Sequence, residues 1–113
     1  MKVPLIKIGD KLLVSIQTTI IDSVVASLRE DITNEISTSG VKGLIIDLSS
    51  IDIIDSFFCR MINDIGHDAR ILGAKTVVVG IKPELAITLV QMGMEMRGVM
   101  TSLNLNKALE ILK

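Results

Sequence analysis

The amino-acid sequence predicts one α/β domain, a mixed and mainly parallel sheet of four or five strands with about four helices. Three features predict it. Short apolar runs alternate along the chain with longer stretches whose apolar residues recur at helical spacing, the pattern of βαβ crossovers. The first two runs are joined by Gly9-Asp10-Lys11, a tight turn that makes a hairpin of them and adds an antiparallel pair. The chain has 113 residues, enough for one core and too few for two, and no Ser/Pro-rich linker, charge block or internal repeat divides it, so residues 1–113 read as a single domain.

The elements follow in order. Val3–Ile8 is a strand, and Leu12–Gln17 is its partner across the turn. Asp22 or Ser23 caps a first helix, in which Val24, Val25, Leu28, Ile32 and Ile36 share one face while Arg29, Glu30, Asn34 and Glu35 lie on others; Gly40 ends it. Leu44–Leu48 is almost continuously apolar between Gly43 and Ser49-Ser50, which suits a strand covered on both faces. A polar connection from Ser49 to Asp55 carries Ile51, Ile53 and Ile54. A second helix runs from about Ser56 to Leu72 on the stripe Phe58, Met61, Ile62, Ile65, Ala69 and Leu72, with Gly73 as its C-terminal cap. Ala74–Ile81 is the next buried strand. Pro83, suited to a first helical turn, opens a helix over Glu84–Met92 that Gly93 closes. Val99–Met100 form a short last strand, and Asn104 caps a final helix over Leu105–Leu112.

Composition excludes several classes of function. Lys+Arg number 12 against Asp+Glu 13, for a net charge of −1, without the basic excess expected of a general nucleic-acid or membrane-surface binder. Trp and Tyr are absent and Phe57 and Phe58 are the only aromatic residues, so a base-stacking platform is not expected. Cys59, alone, can form neither an internal disulfide nor a cysteine-cluster zinc site. The first residues lack a continuous apolar segment of signal-peptide type. The uncharged run Leu12–Ile21 is interrupted by Ser15, Gln17, Thr18 and Thr19 and is too short to span a bilayer, so a cytoplasmic location is expected. Apolar residues make up 49% of the chain, which is incompatible with disorder and rich for a small domain; an oligomer or a partner surface is expected to use the excess.

The sharpest local feature is Asp52-Ile53-Ile54-Asp55-Ser56-Phe57, with Ser56 directly behind an aspartate at a strand-to-helix junction. A helix N-terminus offers unpaired N–H groups and a positive dipole end, which would receive a phosphate on Ser56, while Asp52 and Asp55 would repel it. The plainer reading makes Asp55 or Ser56 a helix cap, and the two are compatible. The nearest basic residue in sequence is Arg60, which argues against tight binding of a free phosphate. Asp47, Asp52 and Asp55 could instead hold magnesium, but neither GxxxxGK[ST] nor GxGxxG accompanies them, so no metal and no cofactor is expected. Asp47 is better suited to accept backbone N–H bonds at its strand end. A Ser56–His67–Asp triad fails on geometry: eleven residues along one helix separate the two by about 16 Å, and His67 is expected in solvent beside Asp64 and Asp68. With no other nucleophile–base pair, no catalytic residue is assigned. Cys59 sits one turn into the helix, within reach of its dipole, but suits a buried structural position better. Met92, Met94, Met96 and Met100 are either core filling or an adaptable contact surface.

The chain as a whole resembles a STAS domain, the family of bacterial anti-sigma-factor antagonists. The resemblance rests on Asp47-Leu48-Ser49 closing a strand, on Ile51 and Ile54, on Asp55-Ser56 opening a helix, on Leu72-Gly73-Ala74-Lys75, on the strand Thr76–Gly80, and on Met92-Gly93. Antagonists acting directly on an anti-sigma kinase usually carry a small residue and Gly-Leu after the Asp-Ser pair. This chain carries Phe57, Phe58 and Cys59. Together with Leu12–Gln17, Ile54–Phe57, Gly80–Pro83 and Thr88-Leu89-Val90, that is similar to the RsbS-type scaffold branch, the stressosome subunits. The resemblance implies a non-enzymatic subunit that co-assembles with an RsbR-like STAS sensor and holds an RsbT-like serine/threonine switch kinase. It further implies phosphorylation on Ser56, release of the kinase, and resetting by an RsbX-like phosphatase. Asp52, Asp55 and Phe57 are the residues expected to meet the partner. A direct antagonist of an anti-sigma kinase and a small-molecule-binding STAS module remain the alternatives.

Overall fold

The computed structural model describes residues 3–17, 22–91, 93 and 99–113. It contains a five-stranded sheet in the order β1-β2-β3-β4-β5, comprising β1 (Leu5–Ile8), β2 (Lys11–Ser15), β3 (Gly43–Asp47), β4 (Lys75–Val79) and β5 (Met100–Ser102). The hairpin β1–β2 is antiparallel and every later pairing is parallel. Four helices, α1 (Asp22–Ser39), α2 (Ser56–Ile71), α3 (Pro83–Gln91) and α4 (Leu105–Ile111), complete the single mixed α/β domain that the sequence predicts.

The two-residue period of the strands divides the core. Val14, Ile46 and Val78 stand in register across β2, β3 and β4 and face one way, where Leu28, Ile32 and Ile36 of α1 and Phe58, Ile62 and Ile65 of α2 cover them. Ile45, Val77 and Val79 face the other way, against Ala108 and Leu112. A strand buried on both faces has no place for alternation, which is why Leu44, Ile45 and Ile46 are uniformly apolar. α1 and α2 are also joined by charge: Arg29 forks onto Asp68, with Nε to Oδ2 at 2.6 Å and the second amino group to Oδ1 at 3.0 Å. His67 is exposed as expected, but Asp64 and Asp68 beside it serve Arg29.

The strands are shorter than the apolar runs. Pro4 has no N–H to offer the ladder, and β1 begins after it. Beyond β2 and β3 the pairing continues as single bonds, from Ile16 N–H to the Asp47 carbonyl at 3.1 Å and from Leu48 N–H to the Val79 carbonyl at 2.9 Å. β4 stops where Gly80 turns to φ +76°. Leu72, expected in the apolar stripe of α2, is 43% exposed because it is the C-cap, where the chain leaves the helix. Gly73 follows at φ +90° and donates to the Arg70 carbonyl, and Ala74 N–H reaches the Ala69 carbonyl at 2.8 Å, a Schellman closure. The last strand is Met100–Ser102, starting one residue and ending two residues later than Val99–Met100. Among the described residues no helix is long and apolar enough to cross a membrane. The reading of Met92, Met94 and Met96, and those of the Asp22, Ser23, Val24 and Val25 side chains, fall outside the described residues.

Candidate functional site

Parallel strands aim their carboxyl ends at one edge of the domain, and the β3–α2 connection lies there. It leaves β3 through an Asx turn: Asp47 Oδ1 accepts the Ser49 N–H at 2.9 Å, the backbone role expected of it. Ile51 N–H donates to the Leu48 carbonyl at 3.0 Å, and Ile51 and Ile54 are both buried. Between these two anchors Asp52 and Ile53 stand out in solvent, Ile53 76% exposed.

Asp55 then caps α2. Its backbone is extended, at φ −94° and ψ 175°, and its Oδ1 accepts the Phe58 N–H at 2.8 Å. Ser56 is therefore the first residue of α2, and it is exposed. Its position is the one at which an anion meets the free N–H groups and the positive end of the helix. The two phenylalanines divide: Phe58 is buried in the core, while Phe57 remains 42% exposed beside Ser56. Cys59, next along, is fully buried, and burial pushes its thiol pKa up from the ordinary value. The helix dipole does not make it a reactive thiolate.

The three aspartates of this region are engaged separately: Asp47 with Ser49, Asp55 with Phe58, and Asp52 with Lys82, whose Nζ reaches Asp52 Oδ1. Arg60 is the nearest base along the chain, and Lys82 adds to this loop one that sequence order does not reveal. It lies 30 residues away in sequence, in the β4–α3 connection, and the parallel register of β3 and β4 brings the two connections side by side. On the far side Ser50 Oγ donates to Gln17 Oε1 at 3.1 Å, so the end of β2 is tied to the same loop. Neither the roles of Lys82 and Gln17 nor the exposure of Ile53 was expected from the sequence. The one available signal was the position of Lys82 and Gln17 just past the ends of parallel strands.

One edge of the domain thus brings together a capped helix start, an exposed serine, a partly exposed aromatic and a tethered acidic loop. The chain belongs to the STAS domain family: the family's model matches residues 2–108. It is similar over nearly its whole length to RsbS of Moorella thermoacetica, known as a serine-to-glutamate variant, with 38% identity, a TM-score of 0.84, and coverage of 99% of this chain and 95% of that one. A chain from a structure described as the molecular architecture of the stressosome, a signal integration and transduction hub, is 37% identical with a TM-score of 0.78, over 96% of this chain and 95% of its own. The RsbT co-antagonist protein RsbRD of Bacillus subtilis (strain 168) is 30% identical over 83 residues, 74% of this chain and 30% of the relative, so this chain spans less than a third of that protein's length.

Proposed function

We propose that this chain is a non-enzymatic stressosome subunit of the RsbS type. It holds an RsbT-like switch kinase while Ser56 is unmodified and releases it when that kinase phosphorylates Ser56. An RsbX-like phosphatase restores the holding state, and an RsbR-like STAS protein shares the assembly. The observation that carries this reading is the exposure of Ser56 at the first position of α2, beside the half-exposed Phe57.

The chemistry of the switch follows from charge. Phosphorylation adds about −1.5 to −2 charge at neutral pH, directly after Asp55 and four residues after Asp52. Two like unit charges about 5–6 Å apart repel by on the order of 1–3 kcal/mol at effective dielectrics of 20–60. For the folded chain the helix N-terminus offsets part of this, since a well-placed anion there gains about 0.3–1 kcal/mol. A kinase surface docked on Ile53, Phe57 and the acidic loop has no such compensation. A tenfold loss of affinity needs only about 1.4 kcal/mol. Incubation with an RsbT-like kinase and ATP, followed by mapping of the modified residue, tests the reading: phosphate is expected on Ser56 and the kinase is expected to leave. Modification elsewhere, with Ser56 untouched, contradicts it.

A further inference from the structure

The β3–α2 connection is anchored on either side of two exposed residues, Asp52 and Ile53. Ile51 and Ile54 are buried and Asp55 is held by its cap, so Asp52 and Ile53 bridge two anchors. The connection facing them is fixed as well. Gly80, at φ +76°, approaches Ser49 so closely that a Cβ on it would lie 2.8 Å from Ser49 Cβ and 2.9 Å from Ser49 N. Two residues later the Lys82 carbonyl accepts the Ala86 N–H at 2.9 Å and opens α3. The backbone of Lys82 is thus tied on both sides, and its flexible four-carbon stem is the part free to move.

The ammonium pairs with Asp52, and the two side chains are 39% and 77% exposed. A pair as solvated as this is weak and exchanges readily. Among the described residues it is the one salt bridge this loop makes. Building on the reading of Ser56 as phosphoacceptor, the geometry points to Lys82 as the positioning residue that registers the modification. Its ammonium holds Asp52 in the unmodified loop and passes to the phosphate when Ser56 carries one, freeing the Asp52–Ile53 bridge. A phosphate dianion outcompetes a carboxylate monoanion for a single compact ammonium. Asp52 lies four residues before Ser56 on the same connection, and Lys82 stands in the connection beside it. Asp52 and Asp55 add negative charge on the chain just before the phosphate; Arg60 follows one turn along α2, and Lys82 is the cation already paired within the loop. Phosphorylation then changes the shape of the loop as well as its charge, at the point where Ile53 is presented to a partner.

The test installs phosphoserine at position 56 during translation, so that no kinase is needed, and follows the phosphorus resonance and the backbone amides by NMR. The second phosphate pKa is expected to be lower, by about half a unit or more, than in the same protein carrying Lys82→Gln, and Lys82→Arg is expected to restore it. The Asp52 and Ile53 amides are expected to move on phosphorylation with Lys82 present and to stay in place in Lys82→Gln. Superimposable phosphate titrations with and without Lys82 overturn the inference. So does a lowered phosphate pKa with unmoved Asp52 and Ile53 amides, because Lys82 would then release nothing. Failure of the kinase to modify Ser56 is a separate result and bears on the function proposed above.

Discussion

Phe57 and Phe58 are adjacent and have opposite tasks. Phe58 is 3% exposed under the sheet, so Phe58→Ala is expected to cost about 3–5 kcal/mol of stability by cavity formation. Phe57→Ala is expected to change stability by less than about 0.5 kcal/mol while weakening kinase binding; paired denaturant melts and titrations separate the two effects. Asp55→Ala removes the cap on the Phe58 N–H and is expected to cost about 1 kcal/mol, read as a fall in thermal midpoint of about 4–6 °C. Cys59 supplies a pH signature. Its folded-state pKa is raised by burial, so its contribution is fully present below the unfolded thiol value and is lost as pH rises through the folded one. Denaturant midpoints from about pH 8 to 10 should therefore fall more steeply in wild type than in Cys59→Ala, and equal slopes would show the thiol is not buried in solution. At this scale the Asp55–Ser56 junction and the capping role were readable in the sequence, because both depend on neighbours three residues apart. The Lys82–Asp52 pair was not, because 30 residues and a strand register lie between its partners.

At the scale of elements, the clasp between α1 and α2 and the close approach of two loops are the features to test. Arg29 gains from Asp68, which raises its already high pKa further, and the charge is therefore constant across the neutral range. Arg29→Lys keeps that charge but loses the fork, and a loss of up to about 1 kcal/mol is expected for this partly exposed pair. Gly80→Ala is expected to be more damaging, at about 1–3 kcal/mol, since it adds a Cβ against the Ser49 backbone at a positive φ. Thermal melts order the two variants, and Gly80→Ala melting above Arg29→Lys would contradict the loop packing. The existence and type of every element were legible in periodicity and in punctuation by Gly40, Gly73, Pro83 and Asn104. The strand ends were not, because apolar runs continue past the ladder wherever the chain still faces the core, as Ile16, Leu48 and Ala74 do.

The whole molecule places its candidate site at one edge and leaves apolar side chains elsewhere on its surface, among them Ile71, Ile87, Val90 and Leu103. The reading of this chain as an assembly subunit expects that surface to be used: self-association alone, and entry into a large particle with an RsbR-like partner, both visible by light scattering during gel filtration. A monomer at high concentration that never co-elutes with a STAS partner would count against it. Under the proposed function the charge on Ser56 decides whether the kinase stays. A binding titration of an RsbT-like kinase against wild type, Ser56→Ala, Ser56→Asp and the phosphorylated chain, with thermal melts of each in parallel, tests this directly. Tight binding to the first two, weaker binding to Ser56→Asp, at least tenfold weaker binding to the phosphorylated chain and closely similar melts are predicted. Equal affinity across the series would contradict the switch, and a collapsed melt in the weak binders would assign their loss to unfolding instead.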